Sequence, residues 1–217
     1  GNTSMHIIDN NAVNLVKMNE NSNPNNGQGG LGFTQYGNDN QNMQFVKIDN
    51  STTGIYNASS SDLILPAGVN TIKFARLYWG GRILASAMTT TPDTLRKLKI
   101  RKGTSGNYFD ILAPSSNVDM FNVTTTERIY QAYVDVTNFI NNNGAGTYTV
   151  ANIPATVGAV SGGGRYAGWS LVVAYENPTL NYNSVRVYDG YSQIFNSGAG
   201  PVTQSVTLTG LNVPNNV

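Results

Sequence analysis

The chain has 217 residues, 40% hydrophobic and only 12% charged, with a formal net charge of +1 and no cysteine. Disulfides, thiolate nucleophiles, iron–sulfur clusters and thiolate zinc sites are thereby excluded, and there is no electrostatic footprint for nucleic acid or for an anionic membrane. No apolar run approaches membrane-spanning length, so no membrane insertion by this segment is expected. Asn, Thr, Ser and Gly take the place of charge on the surface, and Asn and Gly accept the backbone angles of tight turns.

The first 42 residues are the least regular, with short strand-like stretches at 5–8 and 13–18 and a loop around Pro24 and Gly27-Gln-Gly-Gly30. They read as an irregular segment, able to act as an edge strand or as a strand donated to a neighbour. From residue 43 the pattern tightens into a β-sandwich domain that we expect to span 43–212, with 213–217 starting a linker. Residues 45–49 read as a strand and 50–54 as a turn. Residues 63–66 read as an edge piece closed by Pro66. Residues 72–79 form a long strand ended by Gly80-Gly81. Leu98 and Ile100 alternate with Lys97, Lys99 and Arg101, which predicts one face in water.

Residues 108–112 and 129–136 are strand-like. Asp135 then precedes one or two helical turns stopped near Gly144. Residues 148–153 return to β, and Ser161-Gly-Gly-Gly-Arg165 is a loop. Tyr166-Ala-Gly-Trp-Ser-Leu-Val-Val-Ala-Tyr175 reads as a buried central strand. Residues 184–191 read as its hairpin partner, with Val185 and Val187 inward, and 202–211 as a last strand. Short strands every eight to fifteen residues, with Gly, Pro and Asn turns, predict an all-β fold. Our expectation is a jelly-roll-like antiparallel β-sandwich with one short helix.

Catalytic chemistry finds little support. His6 is the only histidine, and no Gly-x-Ser-x-Gly elbow is present, which argues against a serine hydrolase. Glu176 and Asp189 would lie at opposite ends of a hairpin, the wrong placement for a glycosidase pair. The expectation is therefore no enzyme. Calcium suits Asp-rich turns, with Asp9, Asp39 and Asp49 as candidate ligands, although such turns also form without metal. Tyr188, Tyr191, Arg165 and Tyr166 are the candidate binding residues, because exposed rings stack on sugars and the 162–166 loop suits a contact. Lys47 and Lys73, set in apolar strands, raise the idea of a Lys–Asn isopeptide bond. The triplets at Asn2, Asn50, Asn57 and Asn122 match the glycosylation pattern.

Several motifs occur together in order: Phe45-Val-Lys-Ile-Asp-Asn50, Tyr56-Asn-Ala-Ser-Ser-Ser-Asp62, Ala75-Arg-Leu-Tyr-Trp-Gly-Gly81, Tyr133-Val-Asp-Val-Thr137, Gly146-Thr-Tyr-Thr-Val-Ala-Asn152, Ala167-Gly-Trp-Ser-Leu-Val-Val-Ala-Tyr-Glu-Asn-Pro178 and Val187-Tyr-Asp-Gly190. As a set they resemble the N-terminal domain of large bacterial cell-surface proteins that carry DUF11-type Ig-like repeats. The resemblance implies an exported β-rich module on a bacterial cell or spore surface, with roles in adhesion or fibre assembly. Its partners would be other protein subunits, or a ligand on a host or matrix surface. A carbohydrate-binding jelly roll that takes a glycan, with or without structural Ca2+, is the alternative.

Overall fold

The computed structural model describes residues 1–8, 15–17, 42–87, 92–181, 183–192 and 203–210. The chain divides into two compact units, residues 1–177 and 178–217. All the described strands belong to the first.

In chain order they are β1 (Asn2–Thr3), β2 (Met5–Ile8), β3 (Leu15–Lys17), β4 (Met43–Phe45), β5 (Ala58–Leu63), β6 (Thr71–Leu84), β7 (Lys97–Lys102), β8 (Phe109–Leu112), β9 (Val118–Asn122), β10 (Glu127–Asp135), β11 (Gly146–Ala151) and β12 (Ala167–Glu176). One sheet has the order β1-β12-β6-β10-β9, the second β5-β11-β7-β8, and a small third sheet has the order β3-β2-β4. Every ladder among the strands is antiparallel.

Leaving β9 and the small sheet aside, eight strands cross between the two large sheets. In chain order β1, β6, β10 and β12 fall in the first, while β5, β7, β8 and β11 fall in the second. That double Greek key is the jelly roll, so the expected fold class is the observed one. Strand β9 extends the first sheet as a hairpin partner of β10.

The core lies between the two sheets. β6 and β12 contribute Ala75, Leu77, Trp79 and Trp169, β10 contributes Tyr130 and Ala132, and the second sheet answers with Leu98, Ile100, Tyr148 and Val150. Both tryptophans keep their indole N–H satisfied, as burial requires. Trp79 Nε1 donates to the Leu95 carbonyl at 2.9 Å and Trp169 Nε1 to Ser59 Oγ at 2.9 Å. The second bond ties β12 to β5 across the sandwich.

The one α-helix among the described residues, α1 (Thr137–Asn143), starts where Asp135 Oδ1 accepts the Thr137 N–H at 2.9 Å. It ends at Gly144, whose φ of 65° lets its N–H close on the Ile140 carbonyl. Both signals were legible in the sequence.

Four sequence expectations change. Gly80 and Gly81 do not end β6, which runs through them to Leu84. A Cβ on Gly80 would sit 2.6 Å from the Tyr130 carbonyl oxygen, so glycine marks a close approach of β10 rather than a stop. The strand expected at 45–49 is β4, centred earlier, and residues 49–54 form a bend around Asp49. The stretch 184–191, expected as a strand, forms none: residues 183–192 hold no strand structure and Val185 is 67% exposed. Of the last expected strand, 203–210 likewise lacks strand structure, with Val206 74% exposed. Alternation marks a β-prone segment, but a strand also needs a ladder partner.

Candidate functional site

The loop at 161–164 leads into β12 and is held from beneath by a buried charge cluster. Gly162, Gly163 and Gly164 all have positive φ, at 73°, 97° and 64°, a run that side chains resist. Two of their carbonyls converge on Arg82, whose Nη1 donates to Gly162 O at 2.8 Å and to Gly164 O at 3.1 Å. Arg82 Nε also meets Glu127 Oε2 at 3.2 Å, and Arg165 Nη2 meets Glu127 Oε1 at 2.9 Å. All three side chains are buried. One carboxylate thus serves two guanidinium groups, and the loop carbonyl dipoles take up the surplus positive charge. The expected contact residue Arg165 is therefore a structural anchor, not an exposed ligand group.

Next along the chain, Tyr166 is 38% exposed and stands at the rim of an open depression of about 480 Å³ that also involves Thr3, Gly168 and Ser170. Its lining is made of residues 1–3 and 166–170, along the side of β12 that pairs with β1. On its other side β12 pairs with β6, Gly168 opposite Gly80 and Ser170 opposite Tyr78. Tyr78 in turn pairs with Tyr133 of β10, their rings 5.6 Å apart. The Arg76 guanidinium lies 4.6 Å from the Tyr133 ring centroid and 5.1 Å from that of Phe74. Such stacking fixes the aromatic row in place. Burial raises the Tyr166 phenol above its usual range, so the hydroxyl is a neutral donor near pH 7.

The rim of that sheet has a second feature. β12 pairs on one side with β6 along its whole length, but on the other with β1 only at Gly168 and Trp169. From Ser170 onward its outer edge has no ladder partner among the described residues. Leu171 and Val173 point into the sandwich and pack on the core, yet remain only partly buried. The run from Ala167 to Tyr175 carries no charge. The register irregularity at Ala174/Tyr175 and the exposed Lys73–Glu176 ion pair (2.9 Å) end it.

The remaining sequence candidates separate. Asp9 and Asp39 lie outside the described residues. Asp49 is buried and its carboxylate is filled: Oδ1 accepts from the Ser51 N–H, the Ser51 hydroxyl and the Thr52 N–H, each at 3.0 Å. Its Oδ2 accepts from the Thr52 hydroxyl at 2.8 Å and Arg101 Nη1 at 2.9 Å. This is an Asx turn clamped to β7, not a calcium ligand, and no group of metal-binding side chains occurs among the described residues. Arg101, expected in water, is buried instead, its guanidinium also 4.3 Å from the Tyr108 ring centroid.

Lys73 pairs with Glu176 at the surface and Lys47 is exposed, so neither is placed for an isopeptide bond. Asn57 is fully buried, its side chain bonded to both Ile153 N and Ile153 O, which removes it as a glycan acceptor. In the second unit Tyr188 is 45% exposed and donates to the Thr209 carbonyl at 2.6 Å, while Tyr191 is half-buried.

The Asp49 geometry predicts a pH dependence. The Thr52 hydroxyl first, then the other Ser51 and Thr52 bonds, hold its carboxyl below the ordinary carboxylate range against the opposing effect of burial. A depressed folded-state pKa contributes stability above the unfolded value of about 3.9, and loses it as pH falls through the folded value. The urea-stability gap between the native chain and Asp49→Asn should therefore be widest near neutrality and narrow steadily below pH ~4. A gap constant through that window would show that the ionised carboxylate adds nothing to the clamp.

No protein-family model, curated protein or solved structure matches this chain.

Proposed function

We propose that the chain is a non-enzymatic module of an exported bacterial surface protein, and that it assembles or adheres by accepting a strand along the open edge of β12. One observation carries the reading. Three longer outer strands of the two large sheets hold a charge where a stray strand would pair, Asp62 in β5, Asp110 in β8 and Asp119 in β9, while the uncharged β1 spans only two residues. Charges of this kind are how sheet edges avoid unwanted pairing. The open part of β12 holds none, and beneath it Leu171 and Val173 leave the core side incompletely covered.

An added strand of about five residues, ~17 Å long, would satisfy the free backbone groups and cover those side chains. The resemblance to cell-surface proteins with DUF11-type repeats supports the same placement outside the cell, as does the low charge. Glu176, engaged by Lys73, favours a binding role over a catalytic one.

The test is light scattering coupled to size exclusion over a range of concentrations. The native chain should form multimers as concentration rises. Val172→Glu with Ala174→Glu places two negative charges on the edge, on the solvent face, and should raise the concentration needed for assembly about tenfold or more, with melting of the dilute protein unchanged. A native chain that stays monomeric throughout, or multimers indifferent to the double variant, would contradict the proposal.

A further inference from the structure

Resting on the open β12 edge proposed above, we infer that the strand it accepts is the segment 203–210 of a second copy of this chain. The edge sets the requirements. The Ser4 N–H donates to the Ala167 carbonyl at 2.9 Å on the β1 side, and backbone groups of an antiparallel strand turn to either neighbour at alternate residues. Leu171 and Val173 therefore aim their N–H and C=O groups past the end of β1, where no described strand meets them. Their side chains pack on the core and stay only partly covered. Val172 and Ala174 alternate with them on the outer face. A fitting strand has two apolar residues at spacing i, i+2 on one face, a neutral polar face on the other, and no charge.

The segment Thr203-Gln-Ser-Val-Thr-Leu-Thr-Gly210 meets each requirement. In an extended chain Gln204, Val206 and Leu208 fall on one face and Thr203, Ser205, Thr207 and Thr209 on the other, in whichever direction the strand runs. Thr and Val favour strands, yet the segment forms none, and Val206 and Leu208 are 74% and 49% exposed. Covering such a pair is favourable in proportion to the apolar area removed from water. Set beside Leu171 and Val173, the pair closes the core side of the edge, while the hydroxyl face stays in water next to Val172 and Ala174. The other β-prone segment without strand structure, 184–191, carries Arg186 and Asp189 and fits less well. Donor and acceptor are different surfaces of one chain, so the contact is head-to-tail and repeats from copy to copy.

The test mixes two full-chain variants, each spoiled on one side of the contact. Val172→Glu with Ala174→Glu blocks the edge and keeps the donor segment. Val206→Asp with Leu208→Asp keeps the edge and charges the donor. By light scattering, each variant alone should need about tenfold or more the native concentration to assemble. Mixed in equal amounts, at a concentration where each alone is monomeric, they should give a particle of twice the monomer mass that holds one of each. Val206 and Leu208 are exposed, so the Asp variant should melt like the native chain. If it melts early, Val206→Ser with Leu208→Ser removes the same apolar pair without charge and should weaken assembly in the same sense. A donor variant that assembles at the native concentration, or a mixture that stays monomeric, would overturn this inference and leave the β12 edge to another strand. A native chain that stays monomeric throughout would overturn both readings.

Discussion

Replacing Glu127 by alanine should cost about 3–5 kcal/mol of folding stability, read as a drop in the urea midpoint. The carboxylate is the common acceptor of Arg82 and Arg165, and all three groups are out of water. Removing it takes from two buried guanidinium groups the one anion they share. Glu127→Gln keeps the shape and one acceptor but loses the charge, and should fall between alanine and the native chain. The sign reverses if the whole cluster is made apolar, because a buried ion network replaced together is often neutral or stabilising. A Glu127→Leu, Arg82→Met, Arg165→Met triple variant should thus be more stable than Glu127→Ala alone. If Glu127→Ala unfolds at the native urea midpoint, the cluster does not hold the loop.

Trp169→Ala carries the second large effect, about 3–5 kcal/mol. The indole fills the space between β12 and β5, and its N–H is bonded to Ser59 Oγ. Truncation opens a cavity and removes the one donor from the sheet-to-sheet bond, leaving Ser59 with only the Ser4 hydroxyl at 3.5 Å. Trp169→Phe keeps most of the apolar volume and should recover a large part of the loss. Melting curves of the two variants against the native chain check the order. Native-like melting of Trp169→Ala would mean that the indole does not support the core.

Much of the fold was legible because it depends on local pattern. The apolar run through Trp169, the alternation around Leu98 and Ile100, and the Asp135 and Gly144 signals around α1 each encode one element within a few residues. What stayed hidden depends on long-range meeting. Arg82, Glu127 and Arg165 come from three distant stretches, and only the folding of β6, β10 and the glycine loop brings them together. Arg101 looked like the solvent face of an alternating strand until the Asp49 bend closed over it. Gly80 looked like punctuation because a sequence does not display how near the next strand lies. Residues 184–191 show the converse error, where a correct reading of β propensity was extended to a pairing that the described residues do not make.

Tyr166 shows the candidate site at its most legible, since a glycine-rich loop followed by an aromatic residue signals a contact on local grounds. The depression beside it was not legible, because residues 1–3 meet residues 166–170 only through the β1–β12 ladder. The open edge was hidden for a similar reason. The sequence gives no sign that β1 stops short, since pairing length depends on where the chain turns from one sheet into the next.

Residue-resolved amide exchange along β12, in dilute and in concentrated solution, tests the assembly reading most directly. Amides of β12 that point to β6 should be protected in both. Those between Ser170 and Ala174 that point away should exchange fast in dilute solution and gain protection on concentrating, as an added strand takes them up. Protection of the outward amides already in the dilute monomer, or fast exchange that persists in the concentrated protein, would contradict an open edge that accepts a strand.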